Sequence, residues 1–440
     1  MNFRIWLSAL LILGVISPAW AQGDDEDVHT IFFDTIRTGD VRPTPVAVED
    51  MKYIGTQYIT AADSQIMGSL TGVVQFDLDF YADFELVRLD PFYLKTYEIK
   101  EMDLLGWQRL GAQYLVRLEA EFPAANLRSR WRLLDTKTKQ EIGKGLFEGD
   151  RYSWRETAHR ISNDIVKTLT GERGVFLTQI AYIRKIGKAK EIFIADYDGA
   201  NERQLTKMGT INISPCFAPS GQDIYFISFR DGDAQLFKVD VNSGKVSKLT
   251  NFPGLVSAPA VSPDGNKIAC ILTKDGNSEI YVLDISGKVI KRLTNHPAIE
   301  SAPTWSPDGR LIAFTSDRTG SPQIYTMDAD GFNVKRLTYE GKYNDSPLWS
   351  ARGDRVTFVS RTKSGRFDLA SIDTSGEGFR ILTQVGQNEN PHFSPDGKQL
   401  IFASTRLGTD DIYTGDLSGR NQRRLTRSGS CSNPIWGPMR

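Results

Sequence analysis

Three aspartates share one short context. Asp264, Asp308 and Asp396 each stand in a Ser-Pro-Asp-Gly tetrapeptide. A carboxylate repeated this way could serve as a general base or a metal ligand if a histidine or second acid lay in reach. The rest of the chemical inventory is thin. There are four histidines, His29, His159, His296 and His392. His392 follows Glu389 by three residues, so a metal-ligand or acid–base pair could form there. His159 falls in a helical pattern as a surface or core residue, and His296 falls in a loop. Asp196-Tyr197-Asp198-Gly199 and Asp328-Ala329-Asp330-Gly331 open like calcium loops but lack the further ligands and closing glutamate of an EF-hand. The three cysteines, Cys216, Cys270 and Cys431, have neither C-x-x-C nor metal-ligand spacing, and Cys270 reads as a small core residue. The sequence has no nucleophile elbow and no glycine-rich phosphate loop ahead of a helix.

What positions these residues is a repeat. The triplets Ile180-Ala181-Tyr182, Ile224-Tyr225-Phe226, Ile268-Ala269-Cys270, Ile312-Ala313-Phe314, Val356-Thr357-Phe358 and Leu400-Ile401-Phe402 recur every 44 residues. Each is followed by a Leu-Thr pair. Within a unit, four short runs rich in β-branched and aromatic residues alternate with Gly, Pro, Asp and Asn, the pattern of antiparallel strands. Four strands per unit and six units predict a six-bladed β-propeller. The first unit begins at its second strand, and residues 432–438 supply the missing first strand, so one blade is stitched from both ends and the ring has no open edge.

Within this frame Ser-Pro-Asp-Gly is a type I turn between first and second strands, with proline presetting φ at its second position. Two units keep only part of it, as Ala218-Pro219-Ser220-Gly221 and Ser350-Ala351-Arg352-Gly353. The Asp-x-Asp-Gly pairs fall on hairpins between third and fourth strands, and a turn role is assigned to both motifs. A second periodic proline, at 215, 259, 303, 347, 391 and 434, belongs on an edge strand because proline cannot donate to a ladder. That strand lines the central channel. The residues before each proline, among them Ser214, Ser257, Ser301, Ala302, Asp345, Glu389 and Ser432, with His392 just beyond, are predicted to ring an open, polar, slightly acidic channel mouth.

The preceding region carries no repeat. Arg4, an apolar run over residues 5–16 and Ala-Trp-Ala at 19–21 form a secretory signal peptide, cut before Gln22. The run is too short for a membrane span, which predicts an exported, non-spanning chain. Acidic Gln-Gly-Asp-Asp-Glu-Asp at 22–27 reads as a mobile arm, and residues 30–36 as a strand. Helical patterns lie near 64–74 and 102–110, with strands at 113–122, 127–134 and 141–147. A helix over 153–169 carries a Ser153/Glu156 capping box, an apolar face of Trp154, Ala158, Ile161, Ile165 and Leu169, and Gly171 as its stop. The expected organisation is a signal peptide at 1–21, a small α/β domain with a flexible arm at 22–170, and the propeller at 174–440. With 53 basic against 54 acidic residues and a net charge of −1, no dedicated nucleic-acid binding is expected.

Leader, small α/β domain and six "PxWSPDGxxIAFxS" units together resemble the TolB family, the periplasmic component of the Tol–Pal system of Gram-negative envelopes. "LTGERGVFLTQIAYI" at 169–183 and "RPTPVAVEDM" at 42–51 carry the likeness most specifically. The tetrapeptide repeat itself is shared with propellers of prolyl-oligopeptidase-like and tricorn-like peptidases. The resemblance implies a monomeric, non-enzymatic periplasmic adaptor without cofactor or metal, supporting outer-membrane integrity and constriction at cell division. Its channel mouth would receive the lipoprotein Pal. Its arm, including Asp27, Val28, His29, Thr30 and Ile31, would engage the inner-membrane protein TolA. Three departures stand out: the acidic residues ahead of Val28, the apolar "FPGLVS" at 252–257, and Ala302 where the family can have an acid. The alternative is a propeller-based enzyme or small-ligand binder of the peptidase-associated type, which would need a hydrolase domain or a metal at Glu389 and His392.

Overall fold

The computed structural model describes residues 42–89, 103–417 and 422–439. The signal peptide and its cleavage site, the acidic residues at 22–27, the strand-like run at 30–36 and the arm residues Asp27 to Ile31 lie outside these. Among the described residues no helix is long and apolar enough to cross a membrane.

The N-terminal region is one mixed sheet with helices on it. Strands β1 (Thr44–Val48), β2 (Lys52–Tyr53), β3 (Phe84–Leu86), β4 (Tyr114–Glu121), β5 (Asn126–Asp135) and β6 (Glu141–Asp150) are ordered β3-β1-β4-β5-β6, with β2 paired to β4. β1 runs parallel to both β3 and β4, and β4, β5 and β6 form an antiparallel meander. Helices α1 (Ala61–Phe80) and α3 (Trp154–Thr170) share a core with Val46, Leu118, Trp131 and Leu133. The short helix α2 (Leu104–Arg109) packs Trp107 with Ala47, Leu115 and Leu134.

The sequence-based boundaries are corrected in two places by hydrogen bonding. Ser153 makes no side-chain cap. A 3₁₀ turn, Arg151–Ser153, precedes α3 instead, and Asp150 caps it by accepting from Tyr152 N at 2.7 Å. The capping box belongs to α1, where the Thr60 hydroxyl accepts from Asp63 N and the Asp63 carboxylate accepts from Thr60 N, so α1 starts at Ala61 rather than near residue 64. At the far end of α3, Gly171 adopts φ 79° and donates to Lys167 O, the stop that the sequence implied.

The remainder is a six-bladed propeller of four-stranded antiparallel sheets, each ordered first to fourth strand. The last strand, Cys431–Trp436, pairs with Gln179–Ile186 and completes the first blade. Each Leu-Thr pair has a defined task. The leucine is buried between blades, as Leu205, Leu337 and Leu382 are. The threonine hydroxyl accepts from a third-strand amide: Thr206 from Ile192 N at 2.9 Å, Thr338 from Ile324 N at 2.9 Å, Thr426 from Ile412 N at 2.9 Å. The Asp-x-Asp-Gly turns need their glycine for space, since Gly331 sits at φ 93° and a Cβ there would lie 2.7 Å from Leu293 O of the neighbouring blade.

The small domain and the propeller share one core. Leu78, Phe80, Tyr81 and Phe176 pack with Tyr197, Ile401 and Trp436. The contacts run to the propeller's turn face. Tyr81 donates to Asp396 at 2.6 Å, Lys398 pairs with Asp83 at 3.0 Å and Glu172 at 3.2 Å, and Arg423 pairs with Asp79 at 3.1 Å. On α3, Arg155 pairs with Asp198, and His159 Nδ1 meets Asp77 at 2.9 Å while Tyr197 donates to the same carboxylate.

Candidate functional site

The small domain meets the turns on one side of the ring, at Tyr197, Asp198, Asp396 and Lys398, and these contacts leave the opposite face, where the first strands begin, clear. The first strand of every blade is the edge strand, as its proline requires. Just before each proline the backbone leaves the strand conformation. Ser214, Ala258, Ala302, Ser346, Asn390 and Asn433 all adopt left-handed conformations, with φ between 46° and 55°. The ladder is bulged there: Ser301 faces Thr315 and Thr304 faces Ala313, so Ala302 and Pro303 together oppose Phe314 alone. The same jump occurs in all six blades. The ring of bulges turns six small or amide side chains toward a channel of about 550 Å³.

The structure divides the predicted mouth residues. Ser214, Ala302 and His392 line the channel. Ser257, Ser301, Asp345, Glu389 and Ser432 lie one step toward the rim, paired with second strands as Ser257 with Ile271 and Glu389 with Ala403. Tyr343 donates to Asp345 at 3.0 Å. Desolvation, then the charges of Asp410 and Asp345, hold the Glu389 carboxyl above the usual range. His392 does not pair with Glu389: its Nδ1 lies 3.0 Å from Phe393 O and 3.2 Å from Trp436 N, and burial pulls its pKa below the usual value. Among the described residues no three His, Cys, Asp or Glu side chains form a metal-binding group.

Deeper in the channel, Phe217, Val261, Trp305, Trp349, Phe393 and Trp436 occupy the position just ahead of the turn in successive units. Trp305 Nε1 donates to Ala260 O at 3.0 Å and Trp436 Nε1 to Thr178 at 2.8 Å, so these rings are tied to neighbouring elements. At the rim a second feature went unread in the sequence. The residue preceding each first strand is Ile211, Leu255, Ile299 or Tyr343 in four consecutive blades, then Gln387 and Ser430. Ile211 is 41% exposed and Ile299 49%. The same 44-residue period that marked the prolines marks this apolar arc. The mouth is therefore polar within, acidic near Asp345, Glu389 and Asp410, and apolar along one side of its rim. Its chemistry is that of a docking surface, with shape, acceptors and apolar area.

The tetrapeptide carboxylates point elsewhere. Asp264, Asp308 and Asp396 accept from the serine two residues earlier at 2.5, 2.6 and 2.5 Å and from the backbone amide two residues later, closing the turn. Those bonds hold the Asp264 and Asp308 carboxyls below the usual range, the serine hydroxyl contributing most. The cysteines are all free thiols: Cys216 is half-buried at the channel wall, Cys270 and Cys431 are buried.

The sequence matches the family model described as the TolB beta propeller domain over residues 166–440, and that described as the TolB amino-terminal domain over residues 35–142. The Tol-Pal system protein TolB of Geobacter sulfurreducens is 37% identical over 225 residues, 51% of this chain and 50% of that protein. Its counterpart in Jannaschia sp. is 33% identical over 247 residues, 54% of this chain and 53% of that protein. The aligned stretch thus spans about half the length of these curated relatives. The crystal structure of TolB from Acinetobacter baumannii superposes with a TM-score of 0.78 at 26% identity, covering 93% of this chain and 98% of that one. A propeller in a nidogen/laminin complex, at 11% identity and a TM-score of 0.50, shares the fold alone.

Proposed function

Because the chain belongs to the TolB family, we propose that it is a non-enzymatic periplasmic adaptor of a Tol–Pal system, with the propeller mouth as the docking surface for a Pal-like lipoprotein. The observation that carries this reading is the disposition of faces. The small domain docks on the turn face, and the first-strand face keeps a ring of polar residues flanked by the apolar arc from Ile211 to Tyr343. An interface needs desolvated apolar area with satisfied polar groups around it, and the mouth offers both. The arm at residues 22–33 is assigned to a TolA-like inner-membrane protein on the family resemblance, with export through the signal peptide at 1–21 and no catalysis by either domain. The units are read as the small domain at 22–170 and the propeller at 174–440, and the chain as a monomer supporting outer-membrane integrity and constriction at division.

The test is quantitative binding of a purified Pal domain. Asp345→Lys, Glu389→Ala and Ile299→Asp are expected to weaken it at least tenfold each, with unchanged circular dichroism and melting temperature. Deleting residues 22–33 is expected to abolish TolA binding and leave Pal binding intact. Wild-type affinity in all three mouth variants would sink the assignment of this face.

A further inference from the structure

The sixfold repeat allows each blade-to-blade seam to be compared with the others. At the mouth end of each seam stands a polar third-strand residue, Glu191, Gln235, Glu279, Gln323, Asp368 or Asp411, near the Leu-Thr threonine of its own blade and the start of the next blade's first strand. In three seams the pattern is the same. Thr206 donates to Glu191 at 2.6 Å and Asn212 of the next blade donates to it at 3.1 Å. Thr338 and Asn344 converge on Gln323 at 2.8 and 2.9 Å. Thr383 and Asn388 converge on Asp368, both at 3.0 Å. One acceptor oxygen takes two donors, and the asparagine staples one blade to the next.

The other three seams lack the asparagine: Val256 and Cys431 stand in its place in two of them, and in the third a carboxylate does. That seam's third-strand residue is Glu279, and the place of the asparagine is taken by Glu300. Both side chains are buried, Glu279 at 1% and Glu300 at 0% exposure. Each spends one oxygen on its own blade. Glu279 Oε1 accepts from Arg292 at 3.0 Å and His296 N at 2.8 Å, and Glu300 Oε1 accepts from Arg318 at 2.8 Å and Ser316 at 3.2 Å. The other oxygen of each, Oε2, is buried without a hydrogen-bond partner. Two ionised carboxylates cannot staple a seam, because neither has a hydrogen to give. A buried acceptor left unpaired costs about 1–3 kcal/mol.

We propose that this seam is a proton-binding site: a single proton, carried by Glu300 and donated to Glu279, replaces the amide hydrogen that asparagine supplies in three of the five other seams. The charges around it are accounted for. Arg292 and Arg318 each neutralise one carboxylate, and Asp275 approaches Arg292 at 3.8 Å from the outer side. Asp317 accepts from Ile299 N at 2.8 Å, and His296 Nδ1 accepts from Ala298 N at 3.0 Å. The direction of the Glu300 carboxyl shift agrees: burial raises it first, Arg318 and Ser316 oppose, and Glu279 adds to the rise. A raised acid pKa stabilises the folded chain fully below the unfolded value of about 4.3, and that contribution is lost as pH rises through the folded value. The site lies just below the rim residue Ile299 and does not depend on what docks there.

Glu300→Asn copies the residue that three seams already use, so it is expected to fold, and Glu300→Gln is its longer counterpart. Infrared spectra of the full chain at about pH 5.5 are expected to contain a carboxylic-acid carbonyl band that both variants lose. The Glu300→Asn protein is expected to melt roughly 2–4 °C above wild type at pH 8, with the gap closing by pH 5. Absence of the band from wild type, or a gap that does not change with pH, overturns the proposal. So does a wild-type melting temperature that calcium or magnesium raises and a chelator lowers, with Glu300→Asn insensitive, because a metal cation would then hold the seam.

Discussion

At the residue scale, the six pre-proline positions show how a small side chain can be chosen for backbone reasons. A left-handed φ costs an ordinary residue about 1–2 kcal/mol, and Asn tolerates it better than Ala. Ala258 and Ala302 carry that strain without an amide to offset it. Ala302→Val is therefore expected to destabilise by about 1–2 kcal/mol, while Ala302→Gly is expected to leave stability within about 0.5 kcal/mol of wild type, as read from chemical denaturation. Equal effects of the two would show that φ at 302 is not limiting. The prolines themselves were legible, because an absent N–H has one reading in a periodic strand. The conformation before them was not, because Ser, Ala and Asn are equally at home in a strand end or a turn. The aspartates of the tetrapeptide were legible as turn residues through their neighbours. The second partner of Asp396 was not, because Tyr81 lies 315 residues away and outside any repeat.

At the element scale, the Leu-Thr pair does for a blade what a cap does for a helix. Its hydroxyl satisfies a third-strand amide that the short fourth strand leaves unpaired. Thr338→Val keeps the shape and removes both the bond from Ile324 N and that to Gln323. The expected cost is about 1–3 kcal/mol, with faster amide exchange at Ile324, and a neutral result would assign the pair to packing alone. The strand elements of the propeller could be read because hydrophobic pattern and turn chemistry agree in every unit. The caps of the small domain could not be read as well. Ser153 and Glu156 fit the capping pattern, but the chain enters α3 through a 3₁₀ turn closed by Asp150, which leaves the serine side chain unused. Thr60 and Asp63 form the box with aspartate where glutamate is the usual signal.

At the scale of the whole molecule, domain docking is set by scattered residues, which is why the sequence left it open which face is covered. Asp77 collects His159 from α3 and Tyr197 from the propeller. Burial alone would pull the His159 pKa down, but the charge and hydrogen bond of Asp77 outweigh it and leave it above the usual value. The contribution of protonated His159 is thus fully present below about pH 6.5 and lost as pH rises through the raised value. His159→Gln is expected to melt below wild type at pH 6, the gap closing by about pH 8.5; a pH-independent gap would mean that packing, not charge, is what the histidine supplies. The Glu300 carboxyl starts from a lower unfolded value than a histidine, so the two variants separate the two contributions. The stitched blade has a kinetic meaning as well. Ser432 pairs with Ile183 across 249 residues of chain (432 − 183), so the ring cannot close until every intervening blade has emerged and found its neighbour. Local strand pairs form early, and the longest-range pairing comes last, after its loop-closure entropy is met. Until that moment the first blade lacks its inner strand, and the second strand presents an open, aggregation-prone edge.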